Sequence, residues 1–514
     1  MSGRLDPVTL QVLAGSFRAL CEEMGAVLVR AAHSANIKER RDASTALFDA
    51  AGEMVMQAEH IPVHLGAMPD AVAAVREHAQ RPGDAWILND PYRGGTHLPD
   101  ITLVSPVFEG DALIAFAASR AHHADVGGAT PGSMPARSHS LEEEGVVIPP
   151  TRIVAEGALD EQLLRGLTAQ MRGTRQREAD LRAQLAANRV AGTALARLIE
   201  RNGVDLVRAG MAEVLDYAER RTRASIAEIR DGAYRARDVL EAEGGGELVI
   251  AVTVEVRGDE LAVDFAGTDP QDGGNLNCPL SVTKSAVYYV LRVATDPDIP
   301  ASAGAYRPVR VTAPAGCLVN ARRPAAVAGG NVETSSRIAD VVVLALGEAV
   351  PMPAQGQGTM NNLTLGSDAF TYYETLGGGQ GACPDADGPS AVHVAMSNTL
   401  NTPVEALEQE FPLRVRELSL RRGSGGAGAH RGGDGLVREV VAREEMEYSL
   451  LTERRRVPPR GASGGDPGRP GRNLLRRGGG DPEELPGKAE GRLAAGDSLR
   501  IETPGGGGYG RPSG

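Results

Sequence analysis

The sequence NDPYRGGTHLPD at residues 89–100, followed by ITLVSPVF at 101–108 and, after a turn, by LIAFAASR at 113–120, decides how this chain begins to fold. The last two segments have the character of β-strands, and Gly110-Asp111 between them predicts a two-residue hairpin loop. Pairing across that loop makes the numbers of opposed residues sum to about 221. We therefore expect His122 opposite Pro99 and beside Asp100.

A third candidate side chain lies just upstream of this hairpin. His97 precedes Asp100 by three residues, in a loop that Gly94, Gly95 and Pro99 keep out of regular structure. It can therefore fold back towards the same end of the ladder. Two imidazoles and one carboxylate leave coordination positions open, as in catalytic metal sites, and suit Mn, Fe or Zn.

Other residues near this motif leave alternatives open. Asp90, His123 and Asp125 are candidates to support the ligands or to replace one of them. His60 and His64, in AEHIPVHLG, are expected to line the pocket or add ligands. The alternative without a metal is that the histidines at the strand ends only bind loop carbonyls.

The composition excludes several classes of protein. A net charge of -13 argues against a nucleic-acid surface, because neutralising phosphates requires clustered Lys and Arg. We found no apolar run of 18 or more residues, so no membrane span is expected. The four cysteines are scattered without a C-x-x-C pair, which indicates a reducing compartment. The first residues lack a signal-peptide core, so we expect a cytoplasmic location.

The patterning predicts an α+β fold in four regions. Residues 1–158 form an α+β region that begins with an amphipathic helix from Asp6-Pro7 and contains the β-rich metal site. Residues 159–243 are rich in Ala, Leu, Arg and Glu and predict an insertion of long helices, interrupted at Asn202-Gly203. Residues 244–420 form an α/β region with loops rich in Gly and Asn, and residues 421–514 a Gly-rich, irregular β region.

A series of motifs spans almost the whole chain. The motifs, in order, are RDASTALFD, HIPVHLGAMP, NDPYRGGTHLPDI, ADVGGATPGSMP, EEGVVIPP, AGTDPQ, GNVETSSRIADVV, QGTMNNLTLG, NTPVEALE, SGGAGAHRGGDGLVRE and PGGGGYG. In this order they resemble the hydantoinase B/oxoprolinase family. Members of the family resemble one half of ATP-dependent cyclic-amide hydrolases such as N-methylhydantoinase and 5-oxoprolinase. They are also related to the larger subunit of acetone and acetophenone carboxylases.

The resemblance implies a division of labour between two subunits. A partner of hydantoinase A type would bind ATP and phosphorylate the carbonyl oxygen of a small cyclic amide, in a hetero-oligomer. This agrees with the lack of a P-loop around Gly487-Lys488, where the only candidate Gly-Lys pair stands. The present chain would then complete the hydrolysis.

The resemblance also assigns roles to particular residues. In the carboxylase relatives an H-x-x-D pair and a later histidine bind a divalent metal, and these map onto His97, Asp100 and His122. The metal would activate water against the phosphorylated lactam. We expect Asp125 or His123 to act as general base and His60, His64 and Arg120 to face the substrate, although a structural ion pair is an equal alternative for Arg120.

Three other functions remain open from the sequence. A carboxylase subunit would use the same activated carbonyl, but the chain lacks the extra segments expected in the longer carboxylase subunits. A non-catalytic scaffold for the ATP-binding partner would hold no metal. A self-sufficient metal hydrolase would open cyclic amides without ATP.

Overall fold

The computed structural model describes residues 5–59 and 61–512. Helix makes up 30% and strand 26% of the structure, which confirms the α+β class. The helices are α1 Pro7–Ala31, α2 Ala35–Lys38, α3 Ala67–Arg76, α4 Leu141–Glu144, α5 Glu161–Thr168, α6 Thr174–Asn202, α7 Val204–Ile226, α8 Leu280–Ala294, α9 Ala303–Tyr306, α10 Ser335–Leu346 and α11 Val404–Glu410. Among the described residues, no helix is both long enough and apolar enough to cross a membrane.

A seven-stranded antiparallel sheet carries the predicted site. Its strands are β1 Ala43–Asp49, β2 Met54–Glu59, β3 Ala85–Leu88, β4 Asp100–Glu109, β5 Ala112–His122, β6 Thr151–Ala155 and β7 Ala158–Leu159. They lie in the order β2-β1-β5-β4-β3-β6-β7, so the β4–β5 hairpin is central. Side chains alternate between the faces of a strand, and here Ala117 packs against α1 and α6 while Phe116 packs into the core that holds α8 and α10.

The β4–β5 hairpin closes where the sequence predicts it but pairs in a different register. Glu109 faces Ala112 across Gly110-Asp111, as expected. A bulge between Val107 and Phe108 then shifts the ladder by one residue, so that Asp100 itself stands opposite His122. The predicted pairing of His122 with Pro99 is wrong for this reason.

A second sheet follows the long helices. It consists of β8 Gly232–Glu241, β9 Glu247–Arg257, β10 Glu260–Asp264 and β11 Val309–Thr312, in the order β11-β10-β9-β8. The helical segment predicted to residue 243 therefore ends at Ile226. Its Ala- and Arg-rich continuation alternates buried and exposed side chains instead, with Tyr234 and Leu240 buried against the core.

The C-terminal part contains two further sheets. The strands are β12 Asn362–Gly366, β13 Thr371–Glu374, β14 Leu413–Arg421, β15 Gly435–Ala442, β16 Met446–Leu451, β17 Arg472–Arg476, β18 Glu483–Leu485, β19 Lys488–Leu493 and β20 Ser498–Glu502. One sheet has the order β13-β12-β16-β19 and the other β14-β15-β20-β17-β18. The first sheet joins strands from both sides of residue 420, and the four-region division stays a prediction.

The glycines of PGGGGYG lie at the centre of the irregular C-terminal region. A Cβ atom added to any of Gly505–Gly508 would overlap a backbone carbonyl oxygen of a neighbouring segment. Those oxygens belong to Ser424, Gln380, Arg460 and Ala427, in that order. Gly505 and Gly508 are three residues apart and both face segment 424–427. A spacing of three residues is the repeat of a polyproline II helix. Glycine is therefore required here by close backbone approach.

Candidate metal centre

Three side chains converge at the end of the β4–β5 hairpin. His97 Nε2 lies 3.2 Å from Asp100 Oδ1, His122 Nδ1 lies 3.3 Å from the same oxygen, and the two nitrogens are 3.2 Å apart. All three residues are buried. Thr96 Oγ1 donates a 2.6 Å hydrogen bond to the other carboxylate oxygen, Asp100 Oδ2. The predicted trio is thus brought together on one small volume.

The loop that carries His97 is shaped by glycines and by an asparagine. Gly94 has a φ of 95°, and a Cβ on Gly95 would overlap the carbonyl oxygen of Asn89. The Asn89 side chain donates to Leu98 O at 2.8 Å and accepts from Ile148 N at 2.7 Å. These contacts fix the turn between β3 and His97.

The separations of the three atoms fit one bound ion. Two ligands that each lie about 2.1 Å from a metal are about 3.0 to 3.4 Å apart in octahedral or tetrahedral geometry, as observed. His97, Asp100 and His122 could therefore hold a metal ion. His64 Nε2 lies 3.4 Å from Asp100 Oδ2, and its Nδ1 lies 2.9 Å from Ser44 Oγ.

The electrostatics favour the protonation states that ligands need. Burial would raise the pKa of Asp100, but the imidazoles of His97, His122 and His64 outweigh it and hold that pKa well below its ordinary value. Burial lowers the pKa of His122. An anionic carboxylate beside a neutral imidazole is a combination that binds a cation.

A small cavity adjoins the three residues, with a free volume of about 20 Å³. Its wall is formed by Asp42, Ile61, Val63, His64, His97, Asp100, His122, Asn331, Val332, Met360, Tyr373, Thr375, Ser397 and Thr399. The ring of Tyr373 stacks on His122, with centroids 4.6 Å apart. This volume suits a water molecule or an ion but not a lactam ring.

Asp42 is a cavity residue that the sequence reasoning did not single out. It belongs to the motif RDASTALFD, directly before β1, and its backbone oxygen accepts a hydrogen bond of 3.0 Å from His122 N. The pairing of β1 with β5 brings it to the site. The motif could be recognised in the sequence, but the pairing of its strand β1 with β5 could not be predicted.

The other predicted site residues lie in different surroundings. Asp125 accepts hydrogen bonds from Gly127 N, Gly132 N and Arg172, which occupy both carboxylate oxygens. His123 Nε2 lies 2.9 Å from Gln184 Oε1, and burial lowers its pKa to about 4. The wall formed by the described residues includes neither side chain. Their contacts hold loops and helices in place and do not support the general-base role expected above.

Arg120 and Asp90 also serve the loop instead of the cavity. Arg120 donates to Thr102 Oγ1 and to Gly94 O, both at 2.7 Å, and burial lowers its pKa to about 10. Asp90 accepts from Arg323 at 2.7 Å and from Tyr92 N at 3.0 Å. These contacts let Arg120 support the His97 loop, and its contact with substrate stays a prediction. His60 lies outside the described residues, while His64 lines the cavity as expected.

The fold and the site together define a mixed α+β protein with a buried His–Asp–His centre at the end of a hairpin. Residues 6–512 match the family model described as hydantoinase B/oxoprolinase. The chain belongs to the hydantoinase B/oxoprolinase family, which confirms the resemblance read from its motifs.

Named relatives cover the chain almost completely. It is 40% identical over 532 residues to 5-oxoprolinase 1 of Arabidopsis thaliana, covering 98% of this chain and 42% of that protein. It is 31% identical over 541 residues to a protein of Pseudomonas sp. (strain NS671) that is named as a component of a D-/L-hydantoinase, covering 99% of this chain and 90% of that protein. The chain thus spans about two-fifths of the length of the 5-oxoprolinase, but nearly all of the hydantoinase component.

Solved structures show the same fold. The ATP-dependent caprolactamase from Pseudomonas jessenii matches with a TM-score of 0.93 and 31% identity, over 99% of this chain and 93% of that one. An acetone carboxylase structure matches with a TM-score of 0.88 over 99% of this chain and 76% of that one. At 18% identity, the second match shows the fold alone.

Proposed function

We propose that this chain is the metal-holding subunit of an ATP-dependent cyclic amide hydrolase. The observation that carries the proposal is the convergence of His97, Asp100 and His122 within 3.3 Å of one another in a buried cavity. The names of the relatives support hydrolysis of a cyclic amide, and that of the caprolactamase supports dependence on ATP. A partner of hydantoinase A type is proposed to bind ATP and phosphorylate the amide.

Each part of the site has a proposed task. Nitrogen and oxygen donors in this set suit Mn, Zn or Fe. Such an ion would stabilise negative charge on the reacting oxygen and lower the pKa of water in the cavity. Phosphorylation makes the amide carbon electrophilic, because it removes the resonance that protects the carbonyl. The apolar side chains of Ile61, Val63 and Met360 exclude bulk water from this step.

Asp42 takes over the role that the sequence analysis gave to Asp125 or His123. Asp42 lines the same cavity as the three ligand residues. It is proposed either to add an oxygen ligand or to accept the proton of the attacking water. The metal content of a variant without this carboxylate distinguishes the two roles.

The test is reconstitution with a partner. The purified chain, a hydantoinase A type protein, ATP and a panel containing 5-oxoproline, hydantoin and caprolactam would be combined, and ring-opened acids and ADP measured. We expect ring opening to require both chains and ATP, and to disappear in His97→Ala. Ring opening by this chain alone, without ATP, would contradict the proposal, and a product that incorporates labelled bicarbonate would indicate a carboxylase instead.

A further inference from the structure

A second part of the cavity wall carries hydroxyl groups. Thr375 directly follows β13, and Thr399 lies in the segment 391–402, which contains no helix or strand. Their Oγ1 atoms are 2.7 Å apart, and both residues line the cavity beside the metal ligands. The two hydroxyls are therefore hydrogen-bonded to each other at the cavity wall, where they can contact a bound molecule together.

A buried cation stands behind this pair. Arg40 is fully buried, and its Nη2 lies 2.7 Å from Thr375 Oγ1 and 3.3 Å from Thr399 Oγ1. Its Nη1 donates to Tyr373 O at 3.1 Å, and its guanidinium carbon lies 4.9 Å from the centre of the Tyr373 ring. These contacts hold Arg40 in a fixed position against the hydroxyl pair.

The direction of these hydrogen bonds follows from the chemistry of arginine. A guanidinium only donates, so both hydroxyl oxygens accept from Arg40. One hydroxyl hydrogen is used between the two threonines, and the other remains to be donated elsewhere. His393 Nε2 lies 3.5 Å from Thr399 Oγ1, at the outer limit of a hydrogen bond. The free hydrogen is therefore available to an occupant of the cavity.

The charges of the surroundings select an anionic occupant. Asp42 and Asp100 bring two negative charges to the cavity, and Arg40 brings one positive charge within 4.0 Å of Asp42. The net charge of these three groups is therefore one negative charge. A divalent ion on His97, Asp100 and His122 would change it to one positive charge. Hydroxyl donors backed by a guanidinium are typical partners of phosphoryl oxygens.

We propose that Thr375 and Thr399, backed by Arg40, form an oxyanion subsite that binds a phosphoryl oxygen beside the metal. The subsite rests on the proposed function, since a phosphorylated amide delivers that oxygen to the cavity. The cavity is smaller than a phosphate group, so a part of its wall other than Thr375 and Thr399 must move outward when the substrate enters.

The test uses inorganic phosphate as the probe. Protein loaded with Mn²⁺ and freed of excess metal would be titrated with phosphate, and broadening of the ³¹P resonance would report phosphate held near the ion. We expect saturable broadening in the wild type. Thr375→Val and Thr399→Val should each weaken binding about tenfold, because each disrupts the hydroxyl pair that bonds the charged oxygen. Thr399→Ser keeps a hydroxyl group and should bind phosphate as the wild type does.

The controls separate this subsite from the metal centre. Thr283→Val removes a buried hydroxyl that bonds Val319 O away from the cavity, and it should leave phosphate binding unchanged. Metal content is measured on every sample. If the wild-type protein binds no metal, the proposed function is rejected. If the wild type holds its full metal content but binds no phosphate, or if Thr399→Val binds phosphate as tightly as the wild type, only the subsite is overturned. Acetate that binds more tightly than phosphate would assign the subsite to a carboxylate and overturn it as well.

Discussion

At the scale of single residues, His97, Asp100 and His122 come together because they are close in the chain. A hairpin returns His122 to Asp100, and the glycine loop returns His97. Asp42, Thr375 and Thr399 could not be placed in the same way. They reach the cavity through strand pairings and loops that join distant parts of the chain, and local patterns do not determine such contacts.

Asp42 provides the prediction at this scale. Asp42→Asn should lower ring-opening activity with the partner by about 100-fold or more, since a general base contributes factors of that order. Retained metal would assign proton transfer to the carboxylate, and lost metal would assign coordination. Asp111→Asn, in the exposed tip of the β4–β5 hairpin, is the matched control. Wild-type activity in Asp42→Asn would exclude both roles.

At the scale of elements, the strand types and the hairpin were predictable, whereas their exact register and limits were not. The bulge at Phe108 moved the β4–β5 pairing by one residue. In the same way, the composition of residues 232–241 favours helix, but their period of two and the neighbouring strand β9 make them β8. Tertiary pairing overrode local propensity in that segment.

The loop before His97 allows a sharp test of an element. In Gly95→Ala the new methyl group would overlap the Asn89 carbonyl, so the loop must shift. We expect a loss of about 1 to 3 kcal/mol in the free energy of unfolding, together with weaker metal binding. Gly192→Ala, in α6 with open space around it, should be neutral or stabilising. Unchanged stability and metal content in Gly95→Ala would show that the loop does not depend on this glycine.

At the scale of the whole molecule, buried charge and close glycine packing link regions that are far apart in sequence. Arg454 contacts Asp238 at 3.0 Å and Asp340 at 2.6 Å, joining the C-terminal region to β8 and α10. The PGGGGYG segment is enclosed by three other parts of the chain. The Gly-rich composition predicted tight turns, but it could not show that the glycines pack against one another's backbones.

The central glycines should therefore be intolerant of any side chain. Gly506→Ala places a methyl group on the Gln380 carbonyl, and we expect a lower melting temperature and poor recovery of folded protein. Gly273→Ala, around which there is open space, serves as the control. A Gly506→Ala protein as stable as this control would contradict the close packing.

Glu333 gives a prediction about pH. It lies in the π-helical turn Gly330–Thr334, where burial and then the charge of Glu453 raise its pKa to about 8. The folded protein therefore keeps a proton that the unfolded chain loses above its ordinary pKa of 4.5. Stability should fall as pH rises from about 5 to 8, by up to about 1.4 kcal/mol per pH unit from this group.

The measurement is the melting temperature of wild type and Glu333→Gln across that range of pH. The glutamine variant keeps an acceptor for the hydrogen bond from Asn362 Nδ2, which is 2.9 Å long in the wild type. It should lose the Glu333 part of the pH dependence. Identical slopes for the two proteins would mean that Glu333 is ionised in the folded state.

The central claim is that His97, Asp100 and His122 hold one metal ion. Plasma mass spectrometry on the purified wild type, on alanine variants of these three residues, and on a His139→Ala control tests it most directly. We predict about one divalent ion per chain in the wild type and in the control, and loss of the ion in all three variants. A metal-free wild type, or metal retained when these ligands are removed, would contradict the claim.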